Sequence, residues 1–78
     1  VKHFVMHRRQ REASILRQLE RKPIAIPAIV SAVYVGLDPR LAGAAGLSVL
    51  AHLEDLVERG VVATEGEPSI AGRYRLVG

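Results

Sequence analysis

The chain has no cysteine among its 78 residues, which excludes disulfides and thiolate metal sites. That absence suits a reducing cytoplasm, the expected location. Tryptophan is absent too, and two tyrosines and one phenylalanine are all the aromatics. No apolar run approaches the roughly 18 residues of a membrane span. No signal peptide is visible, since basic residues are scattered through the first twenty-two positions. There is no glycine-rich phosphate loop, no thiol nucleophile and no evident Ser/His/Asp set. This chain alone is therefore expected not to be an enzyme and to hold no cofactor.

What is present has ordinary globular balance, with 49% hydrophobic and 24% charged residues. A chain of this size buries roughly 60–65% of its unfolded surface, enough for one modest core. The expectation is a single domain over residues 1–78. The first residue is Val1 and not Met, as expected of a fragment of something larger. Charge is unevenly placed. Residues 1–22 carry seven Lys or Arg against two Glu, a net +5, while residues 44–59 carry one Arg against three acids, a net −2.

From Lys2 to about Arg21 good helix formers run without proline or glycine. Ile15, Leu16 and Leu19 give this helix an apolar stripe. Lys22-Pro23 ends it, because proline disfavours helix in the residue before it. Residues 24–26, "IAI", read as a short strand. Pro27 suits the first position of a second helix that stops at Gly36. Asp38-Pro39 repeats the opening signal for a third helical region, softened at Gly43 and Gly46 and strongly amphipathic from Leu47 to Arg59. Val49, Leu50, Leu53, Leu56 and Val57 make its buried face; Ser48, His52, Asp55 and Arg59 make the opposite one. Gly60 caps it. The period then changes: "VVAT" and "RYRLV" flank turn-rich "EGEPSIAG", which predicts a β-hairpin. The order is helix, strand, helix, helix, hairpin. The fold class is mainly α with a small β-hairpin, a winged helix-turn-helix of three or four helices plus a C-terminal β-wing.

The usual trade of that fold is DNA binding through the third helix. Such a helix offers cations and amides to bases and phosphates. Here Asp55, Glu54 and Glu58 oppose that use, and in the wing Glu65 and Glu67 offset Arg73 and Arg75. A packing domain that kept the fold without the function is the better expectation. "HRRQRE", residues 7–12, is the other charged feature. Arg8, Arg9 and Arg11, with Arg73 and Arg75, are the candidate nucleic-acid contacts. Only Phe4 stands near them as an aromatic, so single-stranded RNA lacks a stacking platform. A solvated helix face is the alternative, with Arg8 and Glu12 spaced for an ion pair of about 0.3–0.5 kcal/mol. Docking is the third reading, since arginine beside Phe4, Val5 and Met6 is what protein interfaces favour. The docking candidates are Phe4, Met6, His7, Arg8, Arg11 and Glu12, and the same apolar residues could build a homodimer. His3 and His7 share a helix face, but a metal site needs three or four ligands and the other histidine, His52, lies on another helix.

"HRRQREASIL" resembles the H-R-x-x-R-E-x-x-I-L entry of the winged-helix domain found C-terminal to many metallo-β-lactamase-superfamily hydrolases, at His7, Arg8, Arg11, Glu12, Ile15 and Leu16. "AIVSAVYVGLDPRL", with Tyr34, is similar to that domain's second helix. "GLSVLAHLEDLVERGVV" is similar to its third, and "GRYRLV" to its last strand. The resemblance implies an accessory domain of a hydrolase, packed on an N-terminal catalytic domain of the same parent chain and helping to wall its substrate side. Zinc or another divalent metal would belong to that catalytic domain, whose H-x-H-x-D-H motif has no counterpart here. No catalytic or metal-binding role is carried onto any residue of this chain. The half-helix over residues 1–12 is the part expected to dock.

Overall fold

The computed structural model describes the backbone of residues 2–78 and the side chains from His7 onward. Its order is α1 (Lys2–Gln18), β1 (Ile24–Ala25), α2 (Ile26–Val33), a 3₁₀ turn (Pro39–Leu41), α3 (Ala42–Glu58), β2 (Val62–Thr64) and β3 (Arg73–Leu76). The strands form one antiparallel sheet in the order β1-β3-β2. Ile24 faces Tyr74 across one pair, and Thr64 faces Tyr74 across the other. The winged-helix expectation is met.

The elements end where local chemistry ends them, with small shifts. α1 stops at Gln18, short of Arg21, as a tighter bond from Leu19 N–H to the Leu16 carbonyl (3.0 Å) closes its last turn. That turn lets Leu19 face the core. α2 takes in Ile26, which places Pro27 in its first turn. It ends at Val33, before Gly36, because Tyr34 leaves helical backbone at ψ 62°. The Asp38 carboxylate accepts the Arg40 N–H at 2.9 Å and caps the 3₁₀ turn that leads into α3. α3 ends in a Schellman motif. Val61 N–H reaches the Leu56 carbonyl and Gly60 N–H reaches that of Val57, both at 3.0 Å. Gly60 supplies the required positive φ, +78°.

α3 runs unbroken through Gly43 and Gly46, where softening was expected. The surroundings explain this at Gly46. A Cβ there would stand 3.4 Å from Ile70 Cδ1 and 3.6 Å from Ile26 Cγ2, so the missing side chain lets the wing loop and α2 close onto the helix. That packing offsets the helix cost of glycine, about 1 kcal/mol. Gly43 is different, with nothing within 4 Å of its Cβ position. Gly43→Ala is expected to stabilise the domain by about 0.5–1 kcal/mol in urea denaturation, because propensity is gained without a clash.

The core gathers one stripe from each helix and the inner face of the sheet: Ile15 and Leu19, then Ile26, Ile29 and Val30, then Ala45, Val49, Leu53 and Leu56, closed by Val62 and Tyr74. Tyr74 is the largest fully buried side chain. Its hydroxyl donates to the Ser69 carbonyl (2.7 Å) and accepts the Ser69 N–H (2.8 Å), tying the wing loop to the sheet. Burial raises this hydroxyl above its ordinary pKa. The Ser69 hydrogen bond opposes that shift, and the nearby Glu54 carboxylate adds to it.

Candidate functional site

Helical periodicity puts Ile15 and Leu19 of α1 in the core, and so turns residues one and two turns earlier toward the flanks of α2 and α3. Arg11 and Glu12 are half-buried there. The Arg11 guanidinium lies over the Tyr34 ring, 4.2 Å from its centroid. The Tyr34 hydroxyl donates to Ser48 Oγ at 3.4 Å, which extends the contact to α3. Glu12 accepts a hydrogen bond from Arg59 Nη2, and Arg59 Nε reaches Asp55 Oδ2 at 3.1 Å. One polar seam thus joins α1, the end of α2 and the outer face of α3.

His52 sits half-buried in this seam. Its pKa is lowered, first by burial and then by the Arg8 charge; Arg11 adds to the lowering, while Glu12 and Asp55 oppose it. The consequence for stability has a definite sign. Below the ordinary histidine value of 6.5 the unfolded chain takes up a proton that the folded chain resists. Stability is therefore complete above that value and is lost as pH falls from it toward the depressed folded value. Melting temperature is expected to drop between about pH 7.5 and 5.5, and His52→Gln to flatten part of that drop. An identical profile in wild type and variant would remove His52 as the cause.

The seam engages part of the outer face of α3. Ser48, His52, Asp55 and Arg59 were expected to form its exposed face. Ser48, Asp55 and Arg59 are exposed as expected and His52 alone is half-buried; Ser48 accepts from the Tyr34 hydroxyl, and Arg59 is held by Glu12 of α1 and by Asp55. Arg59, the cation of that face, is thus held by carboxylates, and Glu54, Asp55 and Glu58 stand exposed, which opposes a phosphate backbone. The pairing is also not the local one: Glu12 bonds Arg59, 47 positions on, in place of Arg8, four before it. Arg59 and Glu12 keep 48% and 28% of their side-chain surface exposed, so the pair contributes about 0.2–1 kcal/mol. The cation–π contact adds about 0.5–1 kcal/mol. The seam orients α1 more than it stabilises it.

Of the docking candidates, Arg11 and Glu12 are engaged inside the domain, while His7 and Arg8 stand exposed on α1. Phe4 and Met6 lie outside the described side chains, as does His3. Of the nucleic-acid candidates, Arg9 is exposed on α1, and Arg73 and Arg75 are exposed on β3, flanking the inward Tyr74. The Arg11–Tyr34 stacking has no signal in spacing, because Arg11 lies on α1 and Tyr34 just past the end of α2. Among the described residues no group of three or more His, Asp or Glu could hold a metal ion. Among them, too, no helix is long and apolar enough to cross a membrane.

Three helices carrying a small three-stranded antiparallel wing define a winged-helix domain. The model of the beta-lactamase associated winged helix domain matches residues 25–73, and the chain belongs to that family. No curated protein and no solved structure matches it.

Proposed function

We propose that this domain is the non-catalytic accessory module of a metallo-β-lactamase-like hydrolase, packed on the catalytic domain of the same parent chain and helping to shape its substrate cleft. The reading is carried by the match of residues 25–73 to a domain described as beta-lactamase associated. The outer face of α3 supports it, because Arg59 there is held by Glu12 and Asp55 while Glu54 and Glu58 stand exposed, a poor match to a DNA backbone. The metal, zinc or another divalent ion, belongs to the catalytic partner, and the working compartment is the cytoplasm. The first half of α1 is the joint, with Phe4 and Met6 as apolar anchors and His7 and Arg8 beside them. Arg11 and Glu12 serve the joint indirectly, by fixing the direction in which α1 leaves the domain.

Hydrogen exchange tests this. Amides of residues 2–12 are expected to exchange fast in the 78-residue chain and to gain protection in the full parent protein. Equal protection in both would sink the docking role. Nucleic-acid contact through Arg8 and Arg9 is the competing reading, favoured by their exposure on α1. It requires a mobility shift with a steep salt slope.

A further inference from the structure

The two halves of α1 are fastened to the domain by different means. Ile15 and Leu19, in its second half, are buried in the core. Ahead of them, the described ion pairs, hydrogen bonds and ring contacts from residues 7–12 to other elements come from Arg11 and Glu12. Arg11 rests on the Tyr34 ring, and Glu12 accepts from Arg59. The first half of the helix is therefore tied by two polar links, each weak enough to be undone by one change of charge beside it.

His52 stands between those links. It follows Ser48 by four positions and precedes Asp55 by three and Arg59 by seven, so the four share one face of α3. Ser48 accepts from the hydroxyl of the tyrosine on which Arg11 rests, and Arg59 holds Glu12. Arg8, Arg11 and Glu12 in turn share the α1 face that continues into Ile15 and Leu19. His52 is half-buried and feels the charges of all three. Histidine is also the side chain whose charge changes most readily near neutral pH.

The surroundings are set against a proton there. α1 contributes Arg8, Arg11 and Glu12, and α3 contributes Asp55 and Arg59. Residues 23–37 hold no charged side chain, so the end of α2 offers the Tyr34 hydroxyl, already donated to Ser48. Both carboxylates are engaged by Arg59. A protonated His52 either repels Arg11 and Arg8 or draws Glu12 away from Arg59, and each outcome weakens a link. Linkage is reciprocal: burial, Arg8 and Arg11 disfavour the proton, so the proton disfavours the arrangement that brings those arginines close.

We propose that His52 is a proton-operated catch for the first half of α1: when it takes up a proton, Arg11 leaves Tyr34, Glu12 leaves Arg59, and residues 7–12 swing free while Ile15 and Leu19 stay packed. The direction of α1 thereby becomes a function of pH. Only the consequence for a catalytic partner rests on the accessory-domain reading; the catch belongs to this chain and is tested without that partner.

The test is an NMR titration of the 78-residue chain at low ionic strength between about pH 7.5 and 5, a range in which ordinary carboxylates stay ionised. The ring-current shift that Tyr34 imposes on the Arg11 side-chain protons reports the docked fraction. It is expected to collapse with the same midpoint as the His52 ring, as the ratio of released to docked α1 rises about fivefold or more. Amides of Val49, Leu53 and Tyr74 should keep their positions, which separates release from unfolding. His52→Gln should hold Arg11 on Tyr34 throughout, while His7→Gln, at an exposed position, should leave the transition intact. Arg8→Gln, also exposed, serves even if His52→Gln does not fold. It removes a charge that opposes the proton and should move the release to higher pH. A release that persists in His52→Gln, an Arg11 shift constant through the His52 titration, an unmoved midpoint in Arg8→Gln, or core amides lost together with the Arg11 shift would each overturn the proposal.

Discussion

Leu53→Ala is expected to destabilise the domain by about 2–5 kcal/mol in urea or thermal denaturation. Leu53 has no exposed surface and lies in the middle of α3, at the centre of a cluster drawn from all three helices and the sheet. Truncation removes the transfer free energy of three carbons and leaves a cavity that the helices on either side close only partly. Domains of this size hold about 5–15 kcal/mol in total, so a loss at the upper end would leave the chain partly unfolded. Leu47→Ala, six positions earlier on the same helix and 62% exposed, is the control and should change stability by less than about 0.5 kcal/mol. Similar losses at the two positions would mean that α3 does not bury the face described for it.

Removing the Tyr74 side chain should be as costly, and its effect separates into two parts. Tyr74→Ala empties the largest buried position and is expected to cost about 3–5 kcal/mol. Tyr74→Phe keeps the ring and deletes the hydroxyl that bonds Ser69 twice. Ser69 is an exposed residue whose orphaned groups can turn to water, so the Phe variant should lose only about 1 kcal/mol. Its more telling readout is local. The Ser69 amide should exchange faster in Tyr74→Phe while the strand amides of β3 stay protected. An unaltered Ser69 exchange rate would show that the loop is held by something other than Tyr74.

Two faces divide the domain's surface by chemistry. The seam is polar, mutually satisfied and weak per contact, suited to fixing the angle of α1. The concavity between α2 and α3 is apolar, and Ile26 and Val30 in its lining also belong to the core.

Much of this was legible in the residues. Pro23 and Pro27 bracket β1, Gly60 closes α3, and the alternation through Arg73, Tyr74 and Arg75 marks a strand with one buried face. These signals act within a turn or a strand pair, where backbone φ, missing N–H groups and period-two or period-3.6 burial operate directly. The sequence also determined the family, through its ordered motifs. The partner of each long side chain was decided elsewhere. Glu12 could pair with Arg8 by spacing, and only the docking of α1 beside α3 brought it to Arg59. His52 reads as surface on a helical wheel, yet it is half-buried and feels the charges of Arg8, Arg11 and Glu12 on α1. Gly46 reads as a weak point in a helix, yet it is where Ile70 and Ile26 close in. These outcomes depend on how helices are set against one another. That angle is chosen by the whole core at once, beyond the reach of any local pattern.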